Sequence, residues 1–559
     1  MPNCHKMFYE DFESVNKLFE NSFKTNWDRP ALSNYNGTTL YYRDLAFRID
    51  RLHSAFKKLG LKKGDKVALC GKNQANWAVA FFSVLTYGAV PVPLLHEFKP
   101  GNIHHLVNHS ESRILFVEDQ IWEDLNEEEM PGLTAVIQIN AFKLLYAPGS
   151  SSVKVSGFLE MDTEMPADFT PDKMNYYEDS PEDLALINYT SGTSGFSKGV
   201  MLPYRSLWGN IDFAVIVHGH LCPTSNMIVI LPCAHMYGLM FEVLFELSRG
   251  VHIHFLTRVP SPKIILKAMG EIRPDLIMSV PLIIEKIYKN MLKPELEKTG
   301  IRTFRKWIPG FEQFILGVMR RKLIDGFGGR FDEIIIGGAA FNREVEAFFH
   351  KMHFPFTVGY GMTECGPIIS YARWTEAKLG SSGRAAPHME IRIDSEDPEN
   401  VPGEIQCRGA NVFLGYYRNE EATADAFTMD GWFRTGDMGV IDKDGFLFIR
   451  GRSKCMILGP SGQNIYPEEL EAVINNLPYV VDSLVIDDKK GLTALVYPEF
   501  REAEKDGMDK DCLQKFFEDE IAALNKDFPN YSQIKSVEVL PEDFERTPKK
   551  SIKRYMYQR

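Results

Sequence analysis

Between Asp44 and Leu59, apolar residues recur at helical spacing: Leu45, Ile49, Leu52, Phe56 and Leu59 share a face, and Gly60 stops the run. Lys66 to Cys70 reads as a short strand. Ala75 to Tyr87 is apolar on all sides and predicts a buried helix closed by Gly88, and Val90 to Leu95 follows as another apolar piece. From about Thr39 to Val200 helices and short strands alternate, which predicts a layered α/β architecture. Asn140 to Asp183 is polar and turn-rich and predicts a surface excursion. Pro274 to Val280 and Phe331 to Gly337 read as further strands.

Two stretches need more than periodicity. Met227 to Leu247 is the most membrane-like window, but it carries Pro232, His235, Glu242 and Glu246. Charges at mid-bilayer are costly, so a buried helix or a strand, loop and helix is expected instead of a span. Ile301 to Gly328 is basic and helix-like. It is expected to pack outside the core, near an acyl or membrane entrance, or to be a solvated helical face.

After Arg450 the texture changes. Pro467 to Leu477 places Leu470, Val473, Ile474 and Leu477 on one helical face. Strand-like Ser483 to Ile486 and Leu492 to Tyr497 follow, then a helix over Cys512 to Leu524 and a strand over Val537 to Leu540. This predicts a compact α+β unit of a typical domain size. The boundary is expected near Arg452 to Cys455, giving a large domain over 1–452 and a small one over 453–559.

A length of 559 residues fits two or more cores better than one. The net charge of -12 argues against nucleic-acid binding as the main role. Eight scattered cysteines with no Cys-x-x-Cys pair fit reduced thiols of a cytosolic protein, not a disulfide framework or a zinc site. The start has no apolar run, so no secretory leader is expected. His252 and His254 alternate on a strand-like run, and His104, His105 and His109 cluster. Without acidic or Cys partners at ligand spacing, both groups read as ordinary surface or core histidines.

The chemistry gathers around residues 184–200. Apolar Leu184 to Ile187 lead into Thr190, Ser191, Gly192, Thr193, Ser194, Gly195 and then Lys198. Small residues let backbone N–H groups close around phosphate oxygens, hydroxyls add donors, and the lysine adds charge. The P-loop of NTPases needs Gly-Lys-Ser/Thr opening a helix and is absent here. A flexible Ser/Gly linker would need neither the lysine nor the strand in front.

This loop resembles the phosphate-binding signature of the adenylate-forming enzymes, which include acyl-CoA synthetases, luciferases and peptide-synthetase adenylation domains. It departs at Ser197, where proline is usual. Further motifs of that family follow in order. Gly338, Ala339 and Ala340 end an apolar run, resembling the adenine-binding loop. The stretch Gly359 to Pro367 resembles the motif supplying adenine stacking (Tyr360, with Gly361), a phosphate contact (Thr363) and an acid on the Mg²⁺ side (Glu364). The resemblance assigns Asp437 to the ribose hydroxyls, Arg452 to a ribose or phosphate contact, and Lys454 to a hinge. It puts Gly462 near the pantetheine of CoA, His235 near the reacting carboxylate, and Thr190 with Glu364 at the metal.

The family's closing motif carries a catalytic lysine. Here that slot, in register, holds Ser551, and Lys550 stands one residue away. The resemblance implies a large α/β domain with layered sheets and helices, plus a small mobile α+β domain. It implies ATP and Mg²⁺ as cofactors, CoA as co-substrate and a fatty, long-chain acid as substrate; the stretch Met236 to Leu244, apolar apart from Glu242, favours an uncharged tail. Medium-chain or aryl acids, and an acyl carrier protein as acceptor, remain alternatives, as does peripheral membrane contact. Ser551 also leaves open a non-catalytic acyl-adenylate or nucleotide binder.

Overall fold

The computed structural model describes residues 6–148, 155, 157–161, 164–190, 198–257, 261–298, 300–301, 307–458, 463–488, 491–547 and 552–559. One sheet runs in the order Val90–Leu94, Lys66–Cys70, Ser112–Val117, Ala135–Gln138 and Leu144–Tyr146. Its first four strands are parallel and the last is antiparallel. Helix Ala75–Tyr87 is apolar all round because it is buried all round, with Trp77, Phe81 and Phe82 fully enclosed. Gly88 ends it at φ +81°, and a Cβ there would lie 2.8 Å from the Tyr177 ring, so only glycine fits.

A second sheet joins the parallel strands Asn226–Val229, His252–Phe255 and Pro30–Asn34 to antiparallel Thr39–Tyr41. The membrane-like window resolves into strand Asn226–Val229, a loop, and a helix that starts at Met236 and runs to Ser248 through a wide-turned stretch, Leu239–Leu244. Glu242 is buried in it and accepts N–H bonds from Ile230 (3.3 Å) and Leu231 (3.0 Å). The Glu242 carboxyl, which burial pushes well above the usual carboxylate range, thus holds the loop before His235. No helix among the described residues is long and apolar enough to cross a membrane.

Strands Ile277–Ser279, Ile334–Ile336 and Phe356–Val358 are parallel neighbours. The chain leaves the last two at their carboxyl ends through Gly337–Ala340 and Gly359–Tyr360, where open α/β sheets bind ligands. An antiparallel sheet, Met389–Asp394, Gly403–Gly409, Phe433–Ile441 and Leu447–Arg452, completes this part.

Beyond it, residues such as Leu470, Ile474, Val485, Phe517 and Ile521 form a separate core. They come from helices Pro467–Ile474 and Lys510–Leu524 and from strands Val480–Asp488, Gly491–Pro498 and Ser536–Val539. The first helix stops three residues before Leu477, because Asn475 turns its side chain to accept the Ser483 hydroxyl at 2.7 Å. Contacts with the larger part include Lys289 Nζ to the Val480 carbonyl (3.3 Å), Arg343 to Glu469 (3.5 Å) and Arg450 to Glu469 (3.6 Å).

The His252 and His254 rings lie with centroids 4.0 Å apart, tilted by 43°, and bond Ser33 (2.8 Å) and Asn226 (3.3 Å) respectively. Burial pushes their pKa values down to about 4 and about 3. Their folded-state values lie below the unfolded one, so this stability is complete above about pH 6.5 and is lost as pH falls toward 4. The wild type is expected to lose on the order of 1–2 kcal/mol per histidine between pH 7 and 5. Urea midpoints at both pH values should show a shallower drop in His252→Gln/His254→Gln; an equal drop would contradict it.

Candidate active site

The strand Leu184–Thr190 pairs antiparallel with Lys198–Pro203, and Thr190 stands directly opposite Lys198. The two ends of the loop between these strands are thereby fixed; Ser191, Gly192, Thr193, Ser194 and Gly195 lie outside the described residues. Lys198 is half-buried, and its ammonium sits 4.4 Å from the Tyr416 ring centroid. Tyr416 belongs to the short strand Gly415–Tyr416, which adds to the same hairpin. Its hydroxyl donates to Glu364 Oε1 at 3.0 Å.

Glu364 is buried, in a tight turn after strand Tyr360–Gly361, and its carbonyl accepts from Phe413 N–H at 2.9 Å. A cation, a phenol and a carboxylate from three distant segments therefore stand in line. Burial first, then the Glu364 charge, pushes the Tyr416 phenol well up, so it remains a donor.

A second cluster adjoins through Tyr360. Its hydroxyl donates to Asp437 Oδ2 at 2.7 Å, and Arg452 Nε meets Asp437 Oδ1 at 3.1 Å. Asp437 and Arg452 are register partners on neighbouring strands. Burial raises the Asp437 carboxyl, while Arg452 and the Tyr360 hydrogen bond pull it back. The same ion pair raises the guanidinium.

Gly338 has φ +85°, so the chain turns there as only glycine does easily, and it leaves Ala339 and Ala340 exposed. Gly337 packs against Tyr237: a Cβ on it would lie 3.4 Å from that ring and 3.6 Å from the Gly359 carbonyl. Tyr237 Oη donates to the Ile335 carbonyl at 2.9 Å, which ties the His235 segment to the same strand ends.

His235 is half-buried at the start of its helix. Its loop is held from three sides. Asn73 Nδ2 donates to Leu231 O (2.6 Å) and Asn73 Oδ1 accepts from Cys233 N–H (2.9 Å); Asn188 Nδ2 donates to Ala234 O (2.9 Å); and Glu242 accepts as above. Asn188 lies two residues before Thr190, so this bond ties the strand Leu184–Thr190 to the His235 loop.

The structure thus joins Thr190, Lys198, Thr363 and Glu364 in one group, Tyr360, Asp437 and Arg452 in a second, and Gly338 to Ala340 with the His235 segment in a third. Lys454 is exposed in the turn Ser453–Cys455, directly after the Asp437–Arg452 pair. Gly462, Lys550 and Ser551 lie outside the described residues; Arg546 and Ile552, which bracket the last two, bridge antiparallel. Sequence reasoning missed Tyr416, Tyr237, Asn73 and Asn188. Only the run of Gly415, Tyr416 and Tyr417 offered a signal, and it fits no helical or alternating pattern.

Thr190 stands across the ladder from Lys198, and Tyr416 joins the same lysine to Glu364. Hard oxygen ligands beside a cation suit Mg²⁺ carrying phosphate oxygens.

Residues 19–417 match the family model for AMP-binding enzymes, and residues 456–559 match that for the AMP-binding enzyme C-terminal domain. The long-chain-fatty-acid–CoA ligase FadD15 of Mycobacterium bovis is 28% identical over 89% of this chain and 86% of its own length. The indoleacetate–CoA ligase of Aromatoleum aromaticum is 30% identical over 82% of this chain and 83% of its own. The crystal structure of ATP-bound MatB from Rhodopseudomonas palustris superposes with a TM-score of 0.76 at 23% identity, covering 97% of this chain and 98% of that one.

Proposed function

Because this chain belongs to the AMP-binding enzyme family, we propose that it activates a fatty acid, of the long-chain class, with ATP and passes the acyl group to CoA. The observation that carries this reading is the line Lys198, Tyr416 and Glu364 beside the Tyr360, Asp437 and Arg452 cluster. One set suits polyphosphate and the other suits a nucleoside. The long-chain choice is supported by FadD15, and the mainly apolar run Met236 to Leu244 favours an uncharged tail. The indoleacetate ligase favours an aryl acid as the second reading.

In the first step the acid's carboxylate oxygen attacks the α-phosphorus, a P–O bond forms, and pyrophosphate leaves. Lys198 neutralises charge gathering on the phosphates. Asp437 accepts hydrogen bonds from the ribose hydroxyls, Tyr360 stacks on the base, and Gly338 to Ala340 give the ring a wall without bulk. His235 lies beside the carboxylate. Mg²⁺, held by Thr190 and Glu364, supplies charge neutralisation at the phosphates when bound.

In the second step the CoA sulfur attacks the acyl carbon, the thioester C–S bond forms, and AMP leaves. We assign the passage between steps to a swing of residues 453–559 about Lys454, bringing the Gly462 loop toward the pantetheine. Such a motion gates the reaction and does not speed the chemistry itself.

Pyrophosphate release measured across saturated fatty acids of several lengths, indoleacetate and benzoate tests the substrate class. Highest kcat/KM with long chains is expected; a clear preference for an aryl acid would overturn that choice. Lys454→Pro, which fixes φ and restricts the residue before it, should leave acyl-AMP formation intact and cut thioester formation. Equal loss of both would argue against the hinge.

The lysine slot yields its own result. If Lys550 serves, Lys550→Ala should slow acyl-AMP formation about 10²-fold or more, and Ser551→Lys should change little. A rate gain in Ser551→Lys with an indifferent Lys550→Ala would mean that the lysine is missing from the native site.

A further inference from the structure

We infer that His218, His220 and Asp332 form a binding site for a divalent transition ion of the Zn²⁺ class. The site lies at the amino end of strand Ile334–Ile336, the end away from Gly338. His218 is the last residue of helix Tyr204–His218, His220 follows after Gly219, and Asp332 stands two residues before the strand. One ring nitrogen of each histidine and one carboxylate oxygen of Asp332 all lie within 4.8 Å of one another. His220 Nε2 is 3.8 Å from Asp332 Oδ2. Ligand atoms about 2.0–2.2 Å from a tetrahedral Zn²⁺ stand roughly 3.3–3.6 Å apart, so side-chain shifts on the order of 1 Å close the set.

His218 is set up as a ligand. Its ring is buried, with Nε2 turned to Glu333 Oε1 (3.6 Å) and Tyr371 Oη (3.5 Å), while Nδ1 has no partner among the described residues. A metal-ligating histidine gives its other ring N–H to a carboxylate, and buried Glu333 stands in that place. Nδ1 is then left with a lone pair in a buried setting, where polar atoms rarely go unpaired. Burial, then Arg373 and His220, push the His218 pKa down to about 3, so the imidazole is neutral, the form that ligates. His220 and Asp332 are 44% and 31% exposed, which gives an ion a path in from solvent.

The neighbours select the ion. The Arg373 guanidinium meets Asp332 Oδ2 and donates to the Val217 carbonyl at 3.3 Å. A cation already at the carboxylate weakens its pull on a second one. The two imidazoles must therefore carry the affinity. Mg²⁺ and Ca²⁺, which take oxygen ligands, do not fit that set, whereas Zn²⁺ does. The ion would pin helix Tyr204–His218 to the base of strand Ile334–Ile336. The same helix braces the Glu364 turn: Asn210 Nδ2 donates to the Cys365 carbonyl (3.1 Å), and Asn210 Oδ1 accepts from Ile368 N–H (2.9 Å). The inference stands apart from the ligase reading, because ion binding and melting are measured without turnover.

The test is titration of the full chain, freed of metal with a chelator and kept in excess Mg²⁺, with Zn²⁺ by calorimetry and with Co²⁺ by its visible absorption. Saturation at one ion per chain is expected, and Zn²⁺ should raise the melting temperature, since it binds the folded state. His220→Gln and, separately, Asp332→Asn should each weaken Zn²⁺ binding at least about tenfold and abolish the rise in melting temperature. Without metal, His220→Gln should melt as the wild type does, because its side chain is largely in solvent. No saturable binding by the wild type would overturn the assignment. So would an affinity that either variant leaves unchanged, which would place the ion on other groups of the chain.

Discussion

Lys198→Ala is expected to slow acyl-adenylate formation about 10²- to 10³-fold, equivalent to roughly 2.7–4 kcal/mol of transition-state stabilisation. The cost to the fold should be far smaller. Lys198 is half-buried and meets the Tyr416 ring at 4.4 Å, a contact worth about 0.5–1 kcal/mol. The strand that carries it is fixed by its ladder to Leu184–Thr190, which uses backbone groups only.

Glu364→Gln should show a loss of the same order, because it keeps an acceptor for the Tyr416 hydroxyl while removing the charge. Single-turnover formation of acyl-AMP, read beside the melting temperature, separates the two effects. A near-normal rate in both variants would remove these residues from the reaction. A rate loss matched by unfolding would make them structural.

Asp437→Ala is expected to raise the KM for ATP about 10- to 100-fold, from the loss of hydrogen bonds to a charged group worth about 1.5–3 kcal/mol. It should also destabilise the protein, because the Tyr360 hydroxyl and Arg452 lose a common partner. Tyr360 is buried, so its stranded hydroxyl costs on the order of 1–3 kcal/mol; the exposed Arg452 side chain costs less.

Asp437→Asn keeps an acceptor and should recover most of the stability but little of the ATP affinity. Because burial raises the Asp437 carboxyl, protonation at the acid end should weaken ATP binding at a higher pH than an ordinary aspartate would. An unchanged KM for ATP in both variants would take Asp437 out of the nucleotide site.

Local order was readable from local pattern. Lys66–Cys70 and Ala75–Tyr87 have the predicted ends, because Gly88 and the change from period to run are written in adjacent residues. The layered α/β class followed from that alternation. Contacts across register were not readable. Tyr360 meets Asp437 across 77 positions, and Arg452 stands opposite Asp437 only because two strands pair with a shift after Met438. Tyr416 comes from a two-residue strand that no periodicity can reveal, yet it links Lys198 to Glu364.

Glu242 shows the opposite case. Its presence in an apolar run correctly argued against a membrane span, but its purpose, holding Ile230 and Leu231 ahead of His235, needed coordinates. Motif residues identify what chemistry is present; the clamps of Asn73, Asn188 and Glu242 decide where it stands.

If the site works as proposed, it makes an acyl-adenylate. Incubating the purified chain with ATP, Mg²⁺ and a long-chain fatty acid, without CoA, and resolving the products by mass spectrometry tests it most directly. Acyl-AMP and pyrophosphate are expected in equal amounts, with conversion of the acyl-AMP to acyl-CoA and AMP once CoA is added. ATP that binds but gives no acyl-AMP from fatty or aryl acids would contradict it.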